Sequence, residues 1–148
     1  MPMSFCIIEP ANLYYARWSG VVLPKEVIQS FDKYRNDPKF EVGRPEVVDL
    51  RAIDDLKFGT PFIMQLFSKF RTQRIPKCGV TKTIILADSA LSFGRARQFQ
   101  SLAFSEKRMD VQILRDEFEA LAEHGISDAN VRTIVERHKP EWESVEFA

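Results

Sequence analysis

Two histidines, His124 and His138, occur among the 148 residues, so any histidine-based triad, general base or metal site would have to use one of them. Both fall at the ends of short helical stretches near the C-terminus, where the helix dipole favours a histidine and no further role is needed. Asp128 and Glu141 each lie within four residues of a histidine, but a helix boundary intervenes both times. The adjacent acids Asp54 and Asp55 could do acid–base work or hold a cation, although such pairs in a loop are usually solvated turn formers. Phosphate cradles are missing: Val42-Gly43-Arg44-Pro45 has one glycine, and no GxGxxG or P-loop spacing occurs. No catalytic residue, cofactor or metal ligand is expected.

The polar residues that chain order does gather lie where strands give way to helices: Ser19-Gly20, Asp49-Leu50-Arg51, Asp88-Ser89 and Arg115-Asp116. In open α/β sheets the carboxyl ends of parallel strands, with helix N-termini converging on them, are where anions and small ligands bind. Arg95 adds to this group, because it falls between Leu91, Phe99 and Leu102 inside the apolar arc of a helix. It can snorkel out, pair with Asp49 or Asp88, or join Arg51 and the Ser89 N–H in receiving an anionic group. The candidate ligand or anion site is therefore Ser19, Asp49, Arg51, Asp88, Ser89, Arg95 and Arg115.

The elements that would position these residues follow from periodicity. Residues 3–9 and 13–19 are apolar, aromatic-rich runs split by Pro10-Ala11-Asn12, which reads as an antiparallel hairpin. Pro24 suits a first helical position, with Val27, Ile28, Phe31 and Tyr34 on one face and an end near Asn36-Asp37-Pro38. Residues 46–50 read as a strand, and Thr60-Pro61 as an N-cap followed by proline. The second helix carries Phe62, Ile63, Leu66, Phe67 and Phe70 as its stripe, with Met64 a misfit. Residues 83–87 are apolar on both faces, as in a central parallel strand, and Asp88-Ser89 caps a helix running to about Phe104. Residues 109–114 alternate like an edge strand. Asp116 and Glu119 suggest a capping box for a short helix that Gly125 ends, and Ile126, Ser127 and Val131 a staple opening the last helix.

The order predicts a mixed α/β sheet of about five strands, the first antiparallel and the rest parallel, flanked by helices and with one extra C-terminal helix. A single domain over residues 1–138 and a loosely held tail over 139–148 are expected, with Trp142 and Phe147 able to dock.

Lysine and arginine number 21, as do aspartate and glutamate, so no net field concentrates nucleic acid, and none is expected as a partner. With 45% hydrophobic and 28% charged residues the composition is that of an ordinary globular chain. No apolar run approaches the ~20 residues needed to cross a bilayer, nor does a basic patch lead into an apolar stretch at the start, so neither membrane insertion nor export is expected. Cys6 and Cys78, with no CxxC, fit two reduced thiols in a cytoplasmic protein. Of 12 phenylalanines, Phe62, Phe67, Phe70, Phe93, Phe99 and Phe104 concentrate on the second and third helices. Most should be core, the alternative being an apolar cavity or a subunit interface.

The stretches Tyr15-Ala16-Arg17-Trp18-Ser19-Gly20-Val21-Val22, Val47-Val48-Asp49-Leu50-Arg51, Ser92-Phe93-Gly94-Arg95-Ala96-Arg97-Gln98-Phe99 and Leu114-Arg115-Asp116 resemble small bacterial proteins of the STAS, SpoIIAA-like superfamily. The resemblance covers about residues 5–125 and implies a strand–helix superhelix. In the sporulation branch a serine at the helix after the third strand is phosphorylated and controls binding to a partner kinase. Residues 49–60 here hold no Asp-Ser pair, and Thr60 is their one hydroxyl residue. The expected function is a non-enzymatic binding or regulatory module acting by protein contact, as a homodimer or on a larger partner. A small carrier or sensor of an apolar or anionic metabolite is the alternative, and an enzyme using carboxylates and arginines the third reading.

Overall fold

The computed structural model describes residues 3–72, 81–104 and 109–145; Cys78, Phe147 and the side chain of Phe70 lie outside the described residues. The hairpin forms as expected, β1 (Met3–Ile8) pairing antiparallel with β2 (Leu13–Val22) from Ile8↔Leu13 to Met3↔Trp18. Its connection is one 3-10 turn ending on Asn12 at φ 49°, a left-handed conformation that asparagine tolerates. Helix α1 (Pro24–Arg35) has Pro24 at its first position, and the Glu26 carboxylate accepts the Leu23 N–H at 2.7 Å, satisfying a donor the helix start leaves orphaned.

Strand β3 (Glu46–Leu56) is twice the expected length. Its register against β2 shifts between Arg17 and Ser19 and again between Gly20 and Val21, because β3 contributes extra residues there. Such bulges break the two-residue alternation by which a strand is recognised. Asp54 and Asp55 consequently belong to a strand and not to a loop, and Asp55 pairs with Arg95 and Lys57. Thr60 is likewise not the N-cap of α2 (Thr60–Thr72) but its first residue: Ile63 N–H donates to Gly59 O, and the Thr60 hydroxyl accepts from Gln98 Nε2 at 2.9 Å.

Strands β4 (Thr81–Leu86) and β5 (Met109–Leu114) continue the sheet in parallel, with α3 (Ala90–Ala103) between them. Ser89 caps α3 by accepting the Ser92 N–H, as expected. Asp116 caps α4 (Glu117–Glu123) through the Phe118 N–H, and Gly125 at φ 77° ends that helix. The last helix, α5 (Val131–His138), opens on Asn130 rather than Ser127, because the Asn130 side chain accepts from both the Thr133 N–H and hydroxyl at 2.9 Å.

The sheet has six strands in the order β5-β4-β3-β2-β1-β6, against the five expected. The sixth, β6 (Trp142–Ser144), comes from the segment expected to be a loose tail. Lys139 at φ 45° ends α5 and turns the chain, and residues 142–144 then pair antiparallel with β1, at Cys6↔Trp142 and Ser4↔Ser144. The Arg17 guanidinium lies 4.6 Å from the Trp142 ring centroid and the Tyr15 ring meets Trp142 edge-on, which holds the strand on.

Each of α1, α2 and α3 crosses one strand along in the same direction, so right-handed crossovers put all three on one face. There they cover Phe5, Tyr14, Trp18, Leu50 and Ile85, while α4 and α5 cover Cys6, Leu13, Val47, Ile84 and Leu86 on the other. Cys6 is a buried free thiol whose pKa burial pushes up to about 12, against a smaller opposing pull from Arg17. No helix of the described residues is long and apolar enough to cross a membrane.

Candidate functional site

The residues expected at the strand ends separate into several local arrangements. Asp49, buried on the α4 side of β3, accepts from the Arg51 N–H, Nε and Nη2 and from the Tyr15 hydroxyl at 2.9 Å. Burial alone would raise the Asp49 pKa, but these hydrogen bonds outweigh it and hold the carboxyl below its ordinary range. Arg51 also binds the Glu117 carboxylate, whose other oxygen accepts the Val131 N–H at 2.9 Å, so the network ties β2 and β3 to α4 and α5. Arg95 pairs with Asp55 at 3.4 Å instead of Asp49 or Asp88. The Ser89 N–H donates to Ser92 Oγ, the exposed Arg115 stacks over Phe93, Asp88 is exposed, and Ser19 sits in β2 opposite Ala52. The structure thus joins Asp49 and Arg51 but directs Arg95, Ser89 and Arg115 to other partners. Among the described residues no group of three or more His, Cys, Asp or Glu could hold a metal ion.

The opposite face of the sheet carries the concave site. A cavity of about 210 Å³ lies between β2, β3 and β4 below and α1, α2 and α3 above. Its walls are apolar, with Trp18, Leu50, Ile63, Ile85 and Phe99 among them. The alternation of β3 aims Glu46, Val48 and Leu50 into it. Glu46 pairs with Tyr14 on one side and Thr83 on the other, so its carboxyl stands over the middle of the sheet. Thr83 Oγ1 donates to Glu46 Oε1 at 2.8 Å. Burial raises the Glu46 pKa to about 7, the Thr83 hydrogen bond opposing the shift.

Beside it Tyr34 of α1 stacks on Tyr14 of β2, ring centroids 3.9 Å apart. Tyr34 is 4% exposed, and its buried hydroxyl has no hydrogen-bond partner. Tyr14 pairs with Glu46 in the β2–β3 register and Tyr34 stacks on Tyr14, so the three polar groups gather at one end of the cavity, where burial raises the pKa of both tyrosines and Glu46 adds to the rise. From the other face His124 Nε2 lies 2.8 Å from the Glu46 main-chain oxygen. Burial lowers the His124 pKa, so at neutral pH the ring is uncharged and donates to that carbonyl. On the α2–α3 side the polar lining is Arg95 and Gln98, the first held by Asp55 and the second by Thr60.

Glu46, Thr83, Tyr14 and Tyr34 are absent from the expected site. The signal for Glu46 is its alternation with Val48 and Leu50, which sets an acid on a core-facing row of a buried strand. Of the phenylalanines, Phe99 lines the cavity while Phe104, 93% exposed, does not. No family model matches the chain, and no curated protein or solved structure matches it.

Proposed function

We propose that the protein is a non-enzymatic binding module, a carrier or sensor, that encloses a small and mostly apolar ligand between its sheet and α1, α2 and α3. The observation that carries this is the cavity itself. It is a hollow half open to solvent, walled by the sheet and three helices, and a ligand entering it would replace water against a mostly apolar surface. Its volume exceeds the roughly 150 Å³ that accepts one benzene ring, so the fitting ligand has one ring or two, or a short chain. A few polar groups in a mostly apolar wall are the usual design of a small-molecule site.

The strand–helix order also supports a SpoIIAA-like superhelix, since each parallel crossover advances by one strand. A protein-contact role has less behind it. Among the described residues the exposed large apolar side chains are spread over several elements, Val21 and Leu23 ahead of α1, Met64, Leu91 and Phe104 on or beside α2 and α3, Phe118 on α4 and Trp142 on β6.

Titration with indole tests the proposal. Wild type should bind one indole per chain, and Ala96→Phe, which fills the cavity from α3, should not. Absence of binding to wild type, or equal binding to both, would refute it.

A further inference from the structure

We propose that the ligand is a cation, a small aromatic or alicyclic amine whose ammonium group is received by the Glu46 carboxylate with the Tyr34 hydroxyl as a second acceptor. This rests on the cavity being a ligand site, and it adds the charge and class of the ligand.

Among the described residues Glu46 has no counter-ion. Facing it are Tyr14 from β2, Tyr34 from α1 and Thr83 from β4, none of them a cation. Helix α2 presents Ile63 and Leu66, and α3 presents Arg95, which Asp55 of β3 already holds. Arg44, buried just before β3 and not among the cavity's described lining residues, bonds Asn12, Glu41 and the Lys39 carbonyl while its Nε keeps no partner, and His124 reaches only the Glu46 main chain. A carboxyl in apolar surroundings with one hydrogen bond is costly whenever it ionises, and burial accordingly keeps it protonated to about pH 7. An incoming ammonium offsets that cost by pairing with it, against its own desolvation. A neutral ligand leaves the cost in place, and an anionic one adds repulsion, with no free cation among the described residues of the wall to offset it.

The Tyr34 hydroxyl is buried without a partner, and Tyr34 stacks on Tyr14, which pairs with Glu46, so a polar group of a ligand at this end has a second group to bond. An ammonium carries three donors, and this end of the cavity offers a carboxylate and a phenol oxygen as acceptors.

Three ligands of one shape, benzylamine, benzyl alcohol and benzoate, separate the outcomes by calorimetric titration of the full chain. Benzylamine should bind at least about tenfold tighter than benzyl alcohol at pH 8.5, with benzoate weakest. Its affinity should fall about tenfold per pH unit below pH 7, since only the ionised fraction of Glu46 is competent. Glu46→Gln should bring the amine down to the level of the alcohol, and the pH dependence of wild type needs no variant to fold. If the alcohol binds as tightly as the amine at pH 8.5, or the amine does not weaken below pH 6, the cationic ligand is wrong while the cavity proposal stands. If none of the three binds, both fall together.

Discussion

The Tyr15 hydroxyl donates a 2.9 Å hydrogen bond to Asp49 Oδ2, closing from β2 a network that Arg51 and Glu117 complete from β3 and α4. All three strand and helix elements depend on one guanidinium for charge balance. Arg51→Met leaves two carboxylates, one of them buried, without their partner, and should cost about 3 kcal/mol in urea unfolding. Adding Asp49→Asn should recover part of that loss, because it removes the stranded charge. A loss under about 0.5 kcal/mol would show the network to be screened like a surface pair.

Two hydroxyl-type or amide-type residues compete in sequence for the start of α5, and the structure separates them. Asn130 accepts from the Thr133 N–H, so Asn130→Ala should lower stability by about 1 kcal/mol, whereas Ser127→Ala should stay within roughly 0.5 kcal/mol of wild type. Equal effects of the two would place the cap elsewhere.

These corrections mark where a single sequence is legible. Strands β1, β2, β4 and β5 and all five helices follow from apolar period and from caps such as Ser89 and Asp116, which are local and chemically specific. Strand β6 is three residues long and owes its existence to the free edge of β1 and to Trp142 meeting Arg17 and Tyr15, contacts more than a hundred residues apart in sequence. The latter half of β3 was hidden by its register shifts. Arg51 and Arg95 both stand near the carboxyl end of β3, but periodicity does not say which carboxylate each will reach, and they reach different ones. The cavity arises from a shortfall of volume between three helices and a sheet, a sum over many side chains that no motif announces.

Trp142 gives β6 its anchorage, with the Arg17 cation over its ring and the Tyr15 edge against it. Trp142→Ala should cost about 1–2 kcal/mol and raise hydrogen exchange at the outer edge of β1, around Ser4 and Cys6. Unchanged exchange at those amides would mean the strand is held by its backbone pairing alone.

Burial of Glu46 should make the protein less stable as pH rises from about 4.5 to 7. Its ordinary pKa of 4.5 becomes about 7 in the folded chain, so across that range the unfolded state releases a proton that the folded state keeps. Stability falls with pH wherever the folded state binds more protons, so the penalty is absent below about 4.5 and complete above about 7. Its size, from the width of the window, is on the order of 3 kcal/mol. Of the groups that slope the opposite way, two are partly buried like Glu46. Asp49, held below its ordinary 3.8, supports the fold above that value and loses its effect in acid, outside the Glu46 window. His124, lowered from 6.5 by burial, adds stability as pH rises toward 6.5 and overlaps the window. The difference between Glu46→Gln and wild type at each pH cancels both, because the amide keeps the shape and an acceptor for Thr83 without a charge. Urea midpoints of the two proteins should converge near pH 4.5 and separate above pH 7 with the variant more stable. Parallel curves would mean that the Glu46 carboxyl ionises as it does in water, and that no apolar cavity surrounds it.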